Sequence, residues 1–207
     1  MAILSVLFFL FVGLLDYSAL GGTYNLDRDI GDVVPAWKNL PGTDGKQHSW
    51  DDVSHQDFVV VVFTCNSCPY AIDYEDRIEA LSRLAQESDS RFAVVAINSN
   101  QIPEDSLQAM QKRSREKQFS FPYLTDATQD VSRAFGAIRT PEFFILDHTR
   151  RIRYMGAMDD TAEASHVKEQ YLFDALKALK QGRAVTVTET PPIGCMIRKA
   201  RKKRYRP

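Results

Sequence analysis

Between Asp57 and Ala71 the chain reads DFVVVVFTCNSCPYA, and this stretch constrains the possible folds most sharply. An apolar, largely β-branched run from Phe58 to Phe63, bounded by polar residues, is the pattern of a strand buried on both faces. Pro69 and the polar-apolar mixture behind it predict a surface-packed helix. That helix starts at or just after Pro69, because a proline deeper inside would lack a needed N–H and press on the carbonyl of Cys65. Cys65 and Cys68 are thus expected at the exposed tip of a strand-to-helix junction, with Cys65 in a turn above the helix. Unpaired N–H groups at a helix start favour a thiolate and draw a cysteine pKa from about 8.5 into a range of roughly 3.5 to 7.5.

Three chemistries use Cys-x-x-Cys: a redox pair, half of a metal site, or a structural bridge. Tetrahedral zinc needs two more ligands, and the remaining chain offers Cys195 and the scattered His48, His55, His148 and His166, with no second pair. A structural bridge over so short a loop constrains the unfolded chain little. The ligand count favours the redox reading.

A chain of 207 residues supports one compact domain. A formal net charge of −1 at pH 7 argues against a nucleic-acid-binding surface. Arg198, Lys199, Arg201, Lys202, Lys203, Arg204 and Arg206 crowd the end, as a solvated tail or one drawn weakly to an anionic membrane surface. At the start, an uncharged apolar run from Ala2 to Leu15 is shorter than the ~20 residues a bilayer core requires. Ala19-Leu20-Gly21 supplies the small residues of a signal-peptidase site, although the only positive flank is the amino terminus. A cleaved secretory signal is the expectation, with an uncleaved anchor or a cytosolic extension as alternatives. Export to a periplasmic or extracytoplasmic compartment fits disulfide chemistry. The expected layout is an apolar segment at 1–22, a domain at 23–187 and a basic tail at 188–207 containing Cys195.

Punctuation by Pro35, Pro41, Gly42 and Asp44-Gly45 predicts a hairpin, with arms through Val33 to Leu40 and on to Trp50, covering one sheet edge. A helix follows from Tyr70 to Gln86, with Ile72, Ile78, Leu81 and Leu84 near one stripe. The remaining pattern reads strand Arg91 to Asn98, helix Pro103 to Lys117, strand Phe121 to Leu124, helix Thr128 to Phe135, strands Phe143 to Asp147 and Ile152 to Met158, and helix Ala164 to Lys180 ended by Gly182. Such alternation implies an α/β fold, a mostly parallel sheet with helices on both faces.

This order, with Phe63-Thr64-Cys65-Asn66-Ser67-Cys68-Pro69-Tyr70 and Gly136-Ala137-Ile138-Arg139-Thr140-Pro141, resembles the thioredoxin-like fold over roughly Gly31 to Gly182. More narrowly it resembles the redoxin branch, which contains the AhpC/TSA peroxiredoxins and TlpA-like thiol-disulfide oxidoreductases. The N-terminal hairpin and a helix-strand insertion at Pro103 to Leu124 belong to that branch. The resemblance implies a thiol-disulfide oxidoreductase without a bound cofactor, in which Cys65 attacks a disulfide substrate and Cys68 resolves the mixed disulfide. It also implies a cis-proline at Pro141 and substrate contacts from Thr140. The partners it implies are a protein or small-molecule disulfide and a thiol electron donor.

The chain departs from relatives in two respects. Val59-Val60-Val61-Val62 lacks the buried acid that thioredoxins carry before the motif, leaving water or Glu142 for proton transfer. Pro-x-x-x-Thr-x-x-Cys, the peroxidase pattern, is not met at either cysteine. Arg139 is a candidate to stabilise the thiolate. Two rival readings are an AhpC/TSA-type thiol peroxidase and a copper or zinc carrier using the two cysteines with His148 or His166. Cys195, in Pro192-Ile193-Gly194-Cys195, is either a third redox thiol folded back on the pair or a lone thiol on an extension.

Overall fold

The computed structural model describes residues 21–199. The signal-like run at Ala2 to Leu15 and the cations beyond Lys199 lie outside the described residues. Among the described residues no helix is long and apolar enough to cross a membrane.

The chain enters along both edges of the main sheet. Ile152 N donates to Asp32 O at 2.9 Å on one edge, and Thr43 N donates to Tyr123 O at 3.0 Å on the other. Between them lies the predicted hairpin, shortened to β1 (Leu40–Pro41) and β2 (Gln47–His48), with Gly45 at φ +81° in its turn. Gly42 bridges Leu124, so the hairpin does border one sheet edge.

Five strands form the central sheet: β3 (Phe58–Phe63), β4 (Phe92–Asn98), β5 (Tyr123–Thr125), β7 (Glu142–Asp147) and β8 (Ile152–Gly156), in the order β5-β4-β3-β7-β8. A two-residue strand, β6 (Arg139–Thr140), precedes β7 outside this sheet. The β3–β4 and β4–β5 pairs are parallel, whereas β3–β7 and β7–β8 are antiparallel, so the sheet is mixed rather than mostly parallel. Connection length explains this. The helix before β6, α3 (Asp130–Phe135), has six residues. At ~1.5 Å per residue it cannot carry the chain back along a strand of about 20 Å, so β7 starts at the end where β3 finishes.

Side chains of β3 alternate between two cores. Val60 and Val62 join Tyr74, Ile78, Leu81, Leu172 and Leu176, while Val59, Val61 and Phe63 join Trp37, Trp50 and Phe135. Each buried valine contributes about 1.5 to 3 kcal/mol relative to exposure, which makes this strand the anchor of the domain. The first core lies under α1 (Pro69–Ala85) and α4 (Tyr171–Lys180); the second lies under α3 and the N-terminal segment. On α1 the buried stripe runs through Ala71, Tyr74, Ile78 and Leu81. Ile72 and Leu84, expected on it, are 37% and 40% exposed. Ile72 follows Ala71 by one residue, about 100° of helix rotation, which swings it off the core.

The helix predicted from Pro103 divides into a 3₁₀ turn, Pro103–Asp105, and α2 (Leu107–Lys117). The last helix begins at Tyr171, not Ala164. Asp160 Oδ1 accepts the amides of Lys168 and Glu169 at 3.0 and 3.2 Å and holds them outside a helical ladder. Beyond α4 the chain returns to the domain. Met155 N donates to Thr188 O at 3.0 Å and Thr190 N to Met155 O at 3.1 Å, lining the free edge of β8. The segment then forms β9 (Cys195–Met196), paired antiparallel with β6.

Candidate active site

Regular helix begins at Pro69 with Cys68 at the N-cap (φ −90°, ψ 121°), so Cys65 occupies the turn above it, as the proline requires. All three cysteines are free. The Thr140–Pro141 peptide is cis and faces the pair. Cys65 Sγ lies 3.3 Å from Thr140 Oγ1, and Cys68 Sγ lies 3.0 Å from Thr140 O. Thr140 is fully buried, and its partner across the β6–β9 pairing is Cys195.

The expected exposed tip is covered. Cys65 is 3% and Cys68 1% exposed, and Cys195 packs against both together with Ala71. The Cys195 amide donates to Cys68 Sγ at 3.4 Å. A chain end distant in sequence closes a junction that is open in the βα unit itself.

Beneath the motif lies a buried carboxylate that local pattern did not reveal. Asp105, 2% exposed, accepts from Asn66 N at 2.7 Å and Ser67 Oγ at 2.6 Å, and Asn100 Nδ2 donates to it at 2.8 Å. Tyr123 OH donates to Asn66 Oδ1 at 3.1 Å. The residues between the cysteines are therefore a fastening device, turned down into the domain. Asn66 and Ser67 present donors that require an acceptor, but nothing in the order of residues singles out Asp105, which reads there as an acid at a helix start.

The two sulfurs of the motif sit in one buried cluster, and each shifts the ionisation of the other. The contact with Thr140 O suits a protonated Cys68. Against it, the Cys195 amide donates to the same sulfur. Cys68 is lowered to about 5, first by the hydrogen bond from Cys65 and against the effect of burial. Cys65 is pushed well up by that same bond, then by burial, with the Asp105 charge adding to it. In this closed arrangement the neighbouring sulfurs shift one another in opposite directions, Cys68 down and Cys65 up.

Glu142, opposite Phe63 on β7 and 2% exposed, is raised to about 7 by burial, against the amides of Ile138 and Arg139 that donate to its Oε2 at 2.9 and 3.0 Å. It braces the turn that carries β6. Arg139, considered as a thiolate partner, donates instead to Gly194 O at 2.8 Å. His148 follows Asp147, whose register partner is Phe58 at the opposite end of β3 from the cysteines. His166 is exposed beside Glu163. Neither histidine meets the pair, and among the described residues no group of three or more His, Cys, Asp or Glu could hold a metal ion.

A family model described as Redoxin matches residues 29–171. The chain belongs to the redoxin family. This redoxin is similar to an uncharacterized conserved protein of Geobacillus kaustophilus, 33% identical over 84% of this chain and 94% of that one, with a TM-score of 0.77. It is also similar to a hypothetical protein of Sinorhizobium meliloti, 32% identical over 84% and 96% of the two chains, TM-score 0.74. Peroxidoxin BcpB of Mycobacterium tuberculosis shares the fold at 20% identity, 74% and 97% coverage and TM-score 0.58. Comparison with curated proteins finds no match. Membership of the family supports oxidoreductase chemistry of the thiol-disulfide or peroxidase type.

Proposed function

We propose that this redoxin is a thiol-disulfide oxidoreductase whose Cys65–Cys68 pair reduces or oxidises protein or small-molecule disulfides. The observation that carries the reading is the placement of two free, clustered thiols, Cys65 and Cys68, with both sulfurs against Thr140 in the turn before Pro141. A pair that loses its first proton near 5 holds one thiolate at neutral pH, which is the nucleophile that exchange requires.

In the reducing direction Cys65 attacks one sulfur of the substrate as its proton crosses to Cys68. The substrate S–S bond breaks, and the first leaving sulfur takes that proton from Cys68. Cys68 then attacks Cys65 Sγ, forming the Cys65–Cys68 bond and expelling the second substrate sulfur, which is protonated by water. The substrate gains two electrons and the pair loses two; a thiol donor resets it. Thr140 backbone groups would align an extended substrate beside the pair.

Reduction of insulin in the presence of a dithiol tests the reading. Wild type is expected to turn over, Cys65→Ser to be inactive, and Cys68→Ser to accumulate a mixed disulfide visible by mass spectrometry. Native-rate insulin reduction by Cys65→Ser would sink the assignment. Hydroperoxide consumption by wild type without any insulin reduction would transfer the same cysteines to peroxidase chemistry.

A further inference from the structure

Strand β9 already occupies the place that the proposed function gives to a substrate. It pairs antiparallel with β6, Met196 opposite Arg139 and Cys195 opposite Thr140. The approach is close enough that a Cβ on Gly194 would lie 2.1 Å from Thr140 O. The strand is held by Arg139 Nη1 on Gly194 O at 2.8 Å, Ile197 N on Ile138 O at 2.8 Å and Arg198 N on Asn100 Oδ1 at 2.7 Å. This places the Cys195 amide 3.4 Å from Cys68 Sγ, with Cys195 packed against the Cys65–Cys68 cluster. The geometry is that of an extended peptide presenting a cysteine to the redox pair, supplied by the chain itself.

We propose that Cys195 is a third redox-active cysteine, which β9 delivers to Cys68 as an internal substrate. The proposal rests on the Cys65–Cys68 exchange reaction described above. Once a disulfide substrate has oxidised that pair, the Cys195 thiolate attacks Cys68 Sγ. The Cys68–Cys195 bond forms as the Cys65–Cys68 bond breaks; the electron pair leaves with Cys65, which takes the proton that Cys195 gave up. One disulfide exists before and after, so no further oxidant or reductant enters. The exchange returns Cys65 to the thiol state and fastens β9 covalently across the groove, where it remains until a thiol donor reduces the new bond.

Burial and the neighbouring Cys68 sulfur raise Cys195 to about 11, so the strand in its resting place stays a thiol while the pair is reduced. Oxidation of the pair removes the Cys68 charge that opposes its ionisation.

The test is disulfide mapping of the full chain after incubation with oxidised glutathione, alkylation and digestion. Wild type is expected to yield a Cys68–Cys195 peptide alongside Cys65–Cys68, and Cys65→Ser to yield Cys68–Cys195 as its main internal bond. Complete alkylation of Cys195 in both proteins overturns the proposal. A wild type that reduces insulin while Cys195 stays free overturns this proposal alone, whereas a wild type inactive on insulin strikes the exchange reaction beneath it. Gly194→Ala touches no sulfur and is expected to unseat β9, speeding alkylation of Cys195 in the reduced protein at least about tenfold. An unchanged alkylation rate would show that β9 does not hold Cys195 in the groove.

Discussion

The loop carrying Cys65 and Cys68 is fastened from beneath by side chains, whereas the strand carrying Cys195 lies above it on its own backbone groups. Asn66 and Ser67 sink donors into the buried Asp105, and Pro69 starts a helix whose Tyr74, Ile78 and Leu81 are core residues. On β9, by contrast, Met196 is 66% exposed, and the bonds to Arg139, Ile138 and Asn100 use the backbone of Gly194, Ile197 and Arg198. Cys195 and Ile197 are partly buried and pack on core clusters. Segments with little buried apolar surface open locally, at a free energy well below global unfolding, while core-anchored segments do not. On the proposed function, a nearly sealed pair would meet its substrate by local opening of β9 while the loop of Cys65 and Cys68 stays fixed.

The largest effect should come from the fixed side. Asp105→Ala leaves the Asn66 amide, the Ser67 hydroxyl and the Asn100 amide without their buried acceptor, and should destabilise the protein by about 4 kcal/mol in urea unfolding. Asp105→Asn, which keeps an acceptor, should lose less. Equal losses would mean that the loop is not held through this carboxylate.

Next in size is the pH dependence set by Glu142 beneath β6. Its folded-state pKa is raised from 4.5 to about 7. Between those values the folded protein keeps a proton that the unfolded chain has released, so this contribution to stability is complete below about 4.5 and lost as pH rises towards 7. Glu142→Gln should flatten a slope worth up to about 3 kcal/mol across that window, measured as urea midpoints at several pH values.

The reduced pair adds a titration of opposite sense. Cys68, lowered from 9.0 to about 5, carries stabilisation that is present above the unfolded thiol value and lost as pH falls through about 5. Ultraviolet thiolate absorbance of the reduced protein should disappear around that pH, and Cys68→Ser should remove the step. A step that persists would place the charge on another sulfur.

The smallest effect tests the mobile side. Arg139→Ala removes one hydrogen bond from β9, about 1 kcal/mol, and should quicken Cys195 alkylation roughly fivefold while lowering global stability by no more than that ~1 kcal/mol. An unchanged alkylation rate would erase the distinction between cover and loop.

Much of the fixed side was legible in the order of residues because its causes are local. The valine run, Pro69 and the spacing of Cys65 and Cys68 specify strand, helix start and paired sulfurs within a dozen positions, and Thr140–Pro141 stood out through its resemblance to a known pattern. Asp105 was not legible as the loop anchor, because its bond to Ser67 spans 38 positions and depends on the sheet bringing β4 beside β3. The strand directions were also out of reach: periodicity identifies β7 as buried, but a short α3 decides which way it runs.

By itself the sequence determined the local chemistry: a β-branched strand, a proline-started helix and two thiols three positions apart at their junction, each dictated by sterics and neighbouring residues. Only the tertiary structure decided what those thiols meet. Cys195 meets Cys68 across 127 positions because the chain beyond α4 follows the edge of β8 and pairs with β6. Backbone hydrogen bonds of that kind are open to almost any residue, so no side-chain pattern announces them; the free edges that remain once the sheet has formed determine where they are made.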